Sequence, residues 1–227
     1  MLINISSSGL IIAVGFISLF IGSAIIAQEQ EKNREQQDLD KQVQSFLDNH
    51  RGAWRDMNVP ETDGRLLHEL IIKNNYKSAL EIGTSTGYSS IWIAWALSKT
   101  GGKLITIEID KERHGEAVAN FKAAGLSEFI DARLADAHKL VKELKGPFDF
   151  VFCDADKEWY KQYFIDVSPK IQVGGCYTAH NVSGKTKSEF GFSGTAEFYN
   201  YVKQLPGWET TVNNKGNGLS ISYKNLP

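Results

Sequence analysis

The sequence predicts an α/β fold: a Rossmann-like, doubly wound and mostly parallel seven-stranded sheet that ends in an antiparallel hairpin. Three observations carry this. Short apolar strand-like segments alternate with helical patterns from about residue 78 onward, the signature of βαβ units. A run of small residues, LEIGTSTGYSS at 80–90, directly follows the first strand, where such folds bring backbone up to a ligand. Near the C-terminus WETTVNN and GLSISYK are linked only by a Lys-Gly-Asn-Gly turn region, so they must pair antiparallel.

The chain has 227 residues, enough for one good-sized domain without disulfides or structural metals. Its formal net charge of -2 and lack of a Lys/Arg-rich block give no reason to expect a nucleic-acid partner. The two cysteines, Cys153 and Cys176, lie in separate apolar runs without zinc or redox spacing and read as small core residues. The absence of a disulfide framework favours a reducing compartment.

Residues 1–27 are expected to form a transmembrane anchor or signal segment. LIIAVGFISLFIGSAIIA at 10–27 carries no charge and can cross a bilayer core of about 30 Å. No Lys or Arg precedes it, whereas Lys32, Arg34 and Lys41 follow, so the positive-inside rule puts the main domain in the cytoplasm. The alternative is export after cleavage at a weak Ala27-Gln28 junction. Residues 28–44, polar and free of Gly and Pro, read as a helical stalk, and 45–227 as the functional domain.

Within the domain, Pro60 precedes a helix whose Leu66, Leu67, Leu70 and Ile71 form an apolar face. His68 on that helix reads as a satisfied or half-exposed histidine. Strands are expected at about 78–82, 103–107, 129–134, 148–153 and 173–179, a further helix at 195–204, and then the hairpin.

The glycine loop narrows the ligand. A dinucleotide site calls for G-x-G-x-x-G and a triphosphate site for a Lys after the glycines. Here Glu81 precedes Gly83 and Gly87 and no Lys follows, so neither phosphate motif is met. An acidic residue there suits a ligand with an ammonium or hydroxyls. Glu108 ends the next strand, where a carboxylate can accept both hydroxyls of a ribose. Asp136, Ala137 and His138 follow the third strand and offer an edge for an adenine. An adenosyl ligand without a pyrophosphate fits both acids, although Asp110 and Asp136 also read as helix caps.

MNVPETDGRLLHELI, LEIGTSTGYSS, LITIEID, FVFCDADKEWY and TAHNV together resemble the successive motifs of the cation-dependent catechol and caffeoyl-CoA O-methyltransferase family. The resemblance runs from about Trp54 to GNGLSISYK. It implies that Met57, Asn58 and Val59 line the methionine end of S-adenosylmethionine, that Glu81, Gly83, Tyr88 and Ser89 lie on the glycine-loop side, and that Glu108 and Ile109 meet the ribose. It further implies that Asp136, Ala137 and His138 sit at the adenine and Asp154 beside the cofactor. Asp154 and Asn181 match metal-ligand positions and Lys157 the general base.

Two departures stand out. The family has Asp-Asn where this chain has His180-Asn181. Mg²⁺ prefers oxygen ligands, whereas an imidazole suits Mn, Co or Zn better. Either His180 joins Asp154 and Asn181 around a different divalent cation, or the metal is lost and His180 serves as a base. Near the C-terminal turn, Asn214 stands where catechol enzymes have an acidic residue.

The resulting expectation is an S-adenosylmethionine-dependent O-methyltransferase with a divalent cation, acting on a small phenolic or catechol-like acceptor. The acceptor would lie under a loop at 183–194, with Trp159, Tyr160, Phe190 and Phe192 as candidate walls. The expected partners are that acceptor and the membrane, and a homodimer is left open. Alternatives are a metal-independent methyltransferase using His180, a non-catalytic adenosyl-binding module, and a Rossmann oxidoreductase, which the missing G-x-G-x-x-G disfavours.

Overall fold

The computed structural model describes the backbone of residues 7–54, 56–185 and 193–227, with side chains from residue 26 onward. The chain divides into two compact units, Met1–Lys41 and Gln42–Pro227.

Helix α1, Ser7–Asn49, begins in the first unit and ends in the second. Its described side chains in the first unit are mostly exposed and polar, with a Lys41–Asp38 ion pair at 3.0 Å. The expected membrane span at 10–27 is corrected here. The helical backbone runs without a break from that segment into the charged residues 28–44, and the side chains of residues 1–25 lie outside the described residues. Among the described residues no helix is long and apolar enough to cross a membrane. The anchor, the cytoplasmic orientation and the membrane partner inferred from it are accordingly dropped.

The second unit is built on one seven-stranded sheet: β1 Ser78–Ile82, β2 Lys103–Glu108, β3 Ile130–Leu134, β4 Phe148–Cys153, β5 Ile171–His180, β6 Trp208–Asn213 and β7 Leu219–Lys224. Their order is β3-β2-β1-β4-β5-β7-β6. The first five strands run parallel, and β7 pairs antiparallel with both β5 and β6. The C-terminal hairpin thus extends the sheet through its second strand, leaving β6 at the edge.

The core follows from the strand composition. Every residue of β4 is buried, as expected of a parallel strand covered on both faces. Leu80, Ile82, Val151, Tyr177 and Ala179 meet Tyr163, Phe164 and Phe198 on one side of the sheet. At roughly 1.5–3 kcal/mol for each large apolar side chain buried, this layer outweighs any single polar contact at the site. Cys153 and Cys176 are free and buried, and burial pushes the Cys153 thiol up to about 12.

The helices are α2 Glu61–Asn74, α3 Tyr88–Thr100, α4 Lys111–Ala123, α5 Ala137–Glu143, α6 Tyr160–Val167 and α7 Ser193–Val202. Helix α2 buries Leu67, Leu70 and Ile71 and closes on Asn75 in the left-handed region (φ 54°), whose N–H reaches back to Ile71 and Ile72. Half-buried His68 lies against Trp95 with ring centroids 5.0 Å apart. Helix α3 is apolar almost all round because it is sandwiched, with Ile91 to Ala94, Ala96 and Leu97 all buried.

Register positions the site. Ile82 pairs with Ile107 on one side and Cys153 on the other, and Cys153 pairs with Ala179. The next residues, Gly83, Glu108, Asp154 and His180, therefore line up along the carboxyl edge. The chain leaves β1 and β4 on opposite sides there, and open α/β sheets place ligands in that crevice.

Candidate active site

The glycine loop is shaped by close approach. Gly83 has φ 98°, and a Cβ on it would run into the Asp154 carbonyl, so only glycine lets β1 and β4 end this near each other. Gly83 and Thr84 donate backbone N–H groups to the Ile107 carbonyl at 3.0 and 3.2 Å, and Asp154 donates to the Ile82 carbonyl at 2.8 Å. Ser85 sits in the left-handed region (φ 49°), and its hydroxyl donates to the Asp56 carbonyl at 2.6 Å. Gly87 (φ 95°) then caps α3.

Beneath the loop lies Glu81, fully buried. Ser89 and Thr106 donate hydroxyls to its carboxyl, each at 2.6 Å, and Ser90 donates a third. Burial raises this carboxyl to about 7 despite those donors.

Glu108 is held differently, by backbone. Ser85 N–H donates to one oxygen at 2.7 Å, and Ile109 and Asp110 N–H groups to the other at 3.0 and 2.9 Å. At the end of β3, Asp136 caps α5 by accepting from His138 N–H at 2.9 Å. The His138 ring stacks on Trp159, centroids 3.8 Å apart. Asp110 and Asp156 also accept from the turns that follow them, as capping residues do.

On the opposite side, Asn58 donates to the Thr86 hydroxyl at 3.1 Å and to the Asp56 carbonyl at 2.9 Å. Asp56 in turn pairs with Arg113 at 2.6 Å.

The far end holds a chain of buried charges. His180 Nε2 lies 3.0 Å from Asp63 Oδ2 and Nδ1 lies 3.2 Å from Asp154 Oδ2. Lys157 donates to the other Asp154 oxygen and, at 2.8 Å, to the Tyr160 hydroxyl. Asp63 Oδ2 also accepts the Asn217 N–H at 2.9 Å. Burial alone would lower the His180 imidazole, but the two carboxylates win and raise it to about 9. Burial would likewise raise Asp154, yet His180 and then Lys157 hold it down at about 2.

These groups frame one cavity of about 700 Å³. Met57, Asn58, Gly83, Glu108, Ile109, Asp136, Ala137, His138, Asp154, Lys157, His180 and Asn181 all line it. Val59, Glu81, Tyr88 and Ser89 do not. Glu81 and Ser89 lie beneath the loop, while Val59 and Tyr88 border a separate cavity of about 200 Å³ beside Trp54 and Trp92. Asn217 reaches the main cavity and the exposed Asn214 does not. Of the aromatics expected at the acceptor, Trp159 and Tyr160 pack against their neighbours, and Phe190 and Phe192 lie outside the described residues.

Sequence reasoning missed Asp63, Ser85, Arg113, Tyr163 and Asn217. Asp63 carried no signal, since an acidic residue in a first helical turn is ordinarily solvated. Asn217 and Ser85 carried a weak one, as polar residues in glycine-rich turns.

The expected metal ligands Asp154, His180 and Asn181 do converge. As arranged, however, both His180 ring nitrogens face carboxylates and both Asp154 oxygens already accept from side chains, so this donor set does not fit a divalent cation. Among the described residues no group of three His, Cys, Asp or Glu is disposed to hold one.

The family model described as O-methyltransferase matches residues 29–188, well over half of the chain. This chain belongs to the O-methyltransferase family. A catechol O-methyltransferase of Niastella koreensis is 41% identical over 139 residues, covering 59% of this chain and 62% of that protein. A flavonoid 3',5'-methyltransferase of Vitis vinifera is 32% identical over 154 residues, covering 65% of each. The chain thus spans less than two thirds of the length of these curated O-methyltransferases. Solved O-methyltransferases match more fully. One from Bacillus cereus, in complex with SAH, has a TM-score of 0.70 at 25% identity over 82% of this chain and 91% of that one. TomG from Streptomyces achromogenes, in complex with SAM, has a TM-score of 0.68 at 27% identity over 82% of this chain and 90% of that one.

Proposed function

We propose that the chain is an S-adenosylmethionine-dependent O-methyltransferase acting on a hydroxyl of a small phenolic acceptor. The observation that carries this is the cavity itself: one space at the carboxyl edge lined by the carboxyls of Glu108, Asp136, Asp154 and Asp156 together with Lys157 and His180. A row of carboxylates suits a sulfonium cation bearing ribose hydroxyls, and the family relatives solved with SAM or SAH support the same ligand.

In this reading Glu108 accepts the ribose hydroxyls while its amide partners fix its orientation. His138, Ile109 and Tyr163 flank the adenine, and Met57 and Asn58 close over the methionine. The reaction is an in-line displacement, so the chain's task is to align two reactants and exclude water. The acceptor oxygen attacks the methyl carbon, the S–CH₃ bond breaks with its electron pair going to sulfur, and the acceptor's proton passes to Lys157. Hydrogen bonds from Lys157 to Asp154 and to the Tyr160 hydroxyl fix its amine at the cavity wall, where that proton is to be received. His180 serves as a fixed neighbour of Asp154, since neither ring nitrogen is free to act as the base.

Calorimetry with S-adenosylmethionine and with NAD, followed by transfer of a labelled methyl group to a panel of phenols, tests the proposal. Binding of the first ligand alone, with label appearing in a phenol, is the expected result. A protein that binds no S-adenosylmethionine refutes it.

A further inference from the structure

The polar chain at the acceptor end joins four parts of the second unit: Asp63 from the first turn of α2, His180 from the end of β5, Asp154 and Lys157 after β4, and the turn before β7 through Asn217 N–H. Asp63 is 1% exposed and His180 3%. A carboxylate binds a hard cation through oxygen lone pairs, and an imidazole binds a metal through an unprotonated ring nitrogen. Here Asp63 Oδ2 faces two N–H groups, and each Asp154 oxygen faces a side-chain donor. Both ring nitrogens of His180 are spent within the chain. Gly216 packs so closely on the Asp63 carboxyl that a Cβ there would overlap it, and Oδ1, the other Asp63 oxygen, is buried without a hydrogen-bond partner.

We propose that the Asp63–His180–Asp154–Lys157 chain takes the place of the divalent cation in this site, so that the protein binds and methylates its acceptor without a metal. The proposal rests on the methyltransferase reading given above and deepens it. The substitution at 180 is then a replacement of one electrostatic device by another: an imidazole braced by a carboxylate from α2 lies where a further carboxylate would have turned toward a cation. Without an ion to be chelated by two adjacent oxygens, the site has no reason to require vicinal hydroxyls, and a phenol with a single hydroxyl becomes an acceptable substrate.

The test is a Mn²⁺ titration of the full chain, with free ion followed by electron paramagnetic resonance, on wild type and on His180→Asp. Calorimetry with S-adenosylmethionine is run on the same samples. Wild type is expected to show no saturable Mn²⁺ site. His180→Asp, which sets a carboxylate beside Asp63, Asp154 and Asn181, is expected to bind Mn²⁺ at least about tenfold more tightly than wild type. A saturable one-to-one site in wild type overturns the inference, and so does a folded His180→Asp protein that binds no better than wild type. If that variant does not fold, the wild-type titration decides alone, a saturable site overturning the inference and its absence supporting it. Failure of S-adenosylmethionine binding refutes the functional reading, whereas a Mn²⁺ site with that binding intact refutes only the metal replacement.

Discussion

Replacing Glu81 with Gln changes a carboxyl that three hydroxyls converge on beneath the glycine loop while keeping its shape. Ser89, Ser90 and Thr106 donate to it in a fully buried position, and burial raises its pKa from the ordinary 4.5 to about 7. The sign follows from proton binding. Between those two values the folded protein keeps a proton that the unfolded chain releases, so stability present below pH 4.5 is lost as pH rises through about 7. At about 1.4 kcal/mol per pH unit, the wild type forfeits about 3 kcal/mol across that window because of this group. Glutamine does not titrate. Urea denaturation of wild type and Glu81→Gln from pH 4.5 to 8 should therefore show the variant gaining about 3 kcal/mol relative to wild type as pH rises, whatever its offset at the acid end. A difference that stays flat with pH would refute the assignment of a raised, buried carboxyl to Glu81.

Other changes read other parts of the site. Gly83→Ala forces a Cβ against the Asp154 carbonyl at φ 98° and should cost about 1–3 kcal/mol by denaturation, with a loss of S-adenosylmethionine affinity by calorimetry. His180→Ala leaves two buried carboxylates without their shared partner, and a loss of about 3–5 kcal/mol at pH 6 is expected. The folded value of His180, about 9, lies above the ordinary 6.5, so its contribution is complete below 6.5 and is lost as pH rises through 9; the penalty of the variant should shrink over that range in denaturation curves. Asp149→Asn removes one of two carboxylate oxygens that accept from Lys77 N–H at 2.6 Å and Ser78 N–H at 2.9 Å. It should cost about 1–3 kcal/mol by denaturation, with S-adenosylmethionine affinity unchanged.

The strands were legible because each is a short apolar run bounded by turn residues, and β1 and β4 match their expected limits residue for residue. The glycine loop was legible for the same local reason, since φ 98° at Gly83 and φ 95° at Gly87 demand residues without a Cβ. Leu10 to Ala27 was read as a span on its lack of charge, whereas among the described residues no helix is long and apolar enough to cross a membrane. Glu81 misled in a subtler way: an acid before a glycine turn looks like a ligand group, and what turned it inward was a set of hydroxyls at 89, 90 and 106 whose convergence depends on strand pairing. Asp63 was invisible because its partners lie 117 and 154 residues away in the chain.

That contrast follows from how the two ends of the cavity are built. Around Glu108 and Asp136 the chain uses backbone: Glu108 is oriented by three amide N–H groups, two of them from its immediate successors, and Asp136 by the helix it caps. Such contacts are nearly local, so they leave motifs that can be read and they tolerate change in the side chains around them. Around His180 the chain uses side chains drawn from α2, the segment after β4 and the end of β5, with a backbone N–H from the turn before β7 and little exposure to water. Each member there is fixed by another, so exchanging one residue, as at His180, alters which groups remain available to a ligand. Around Glu108 a changed side chain therefore leaves the orienting backbone in place, whereas around His180 it changes the site itself.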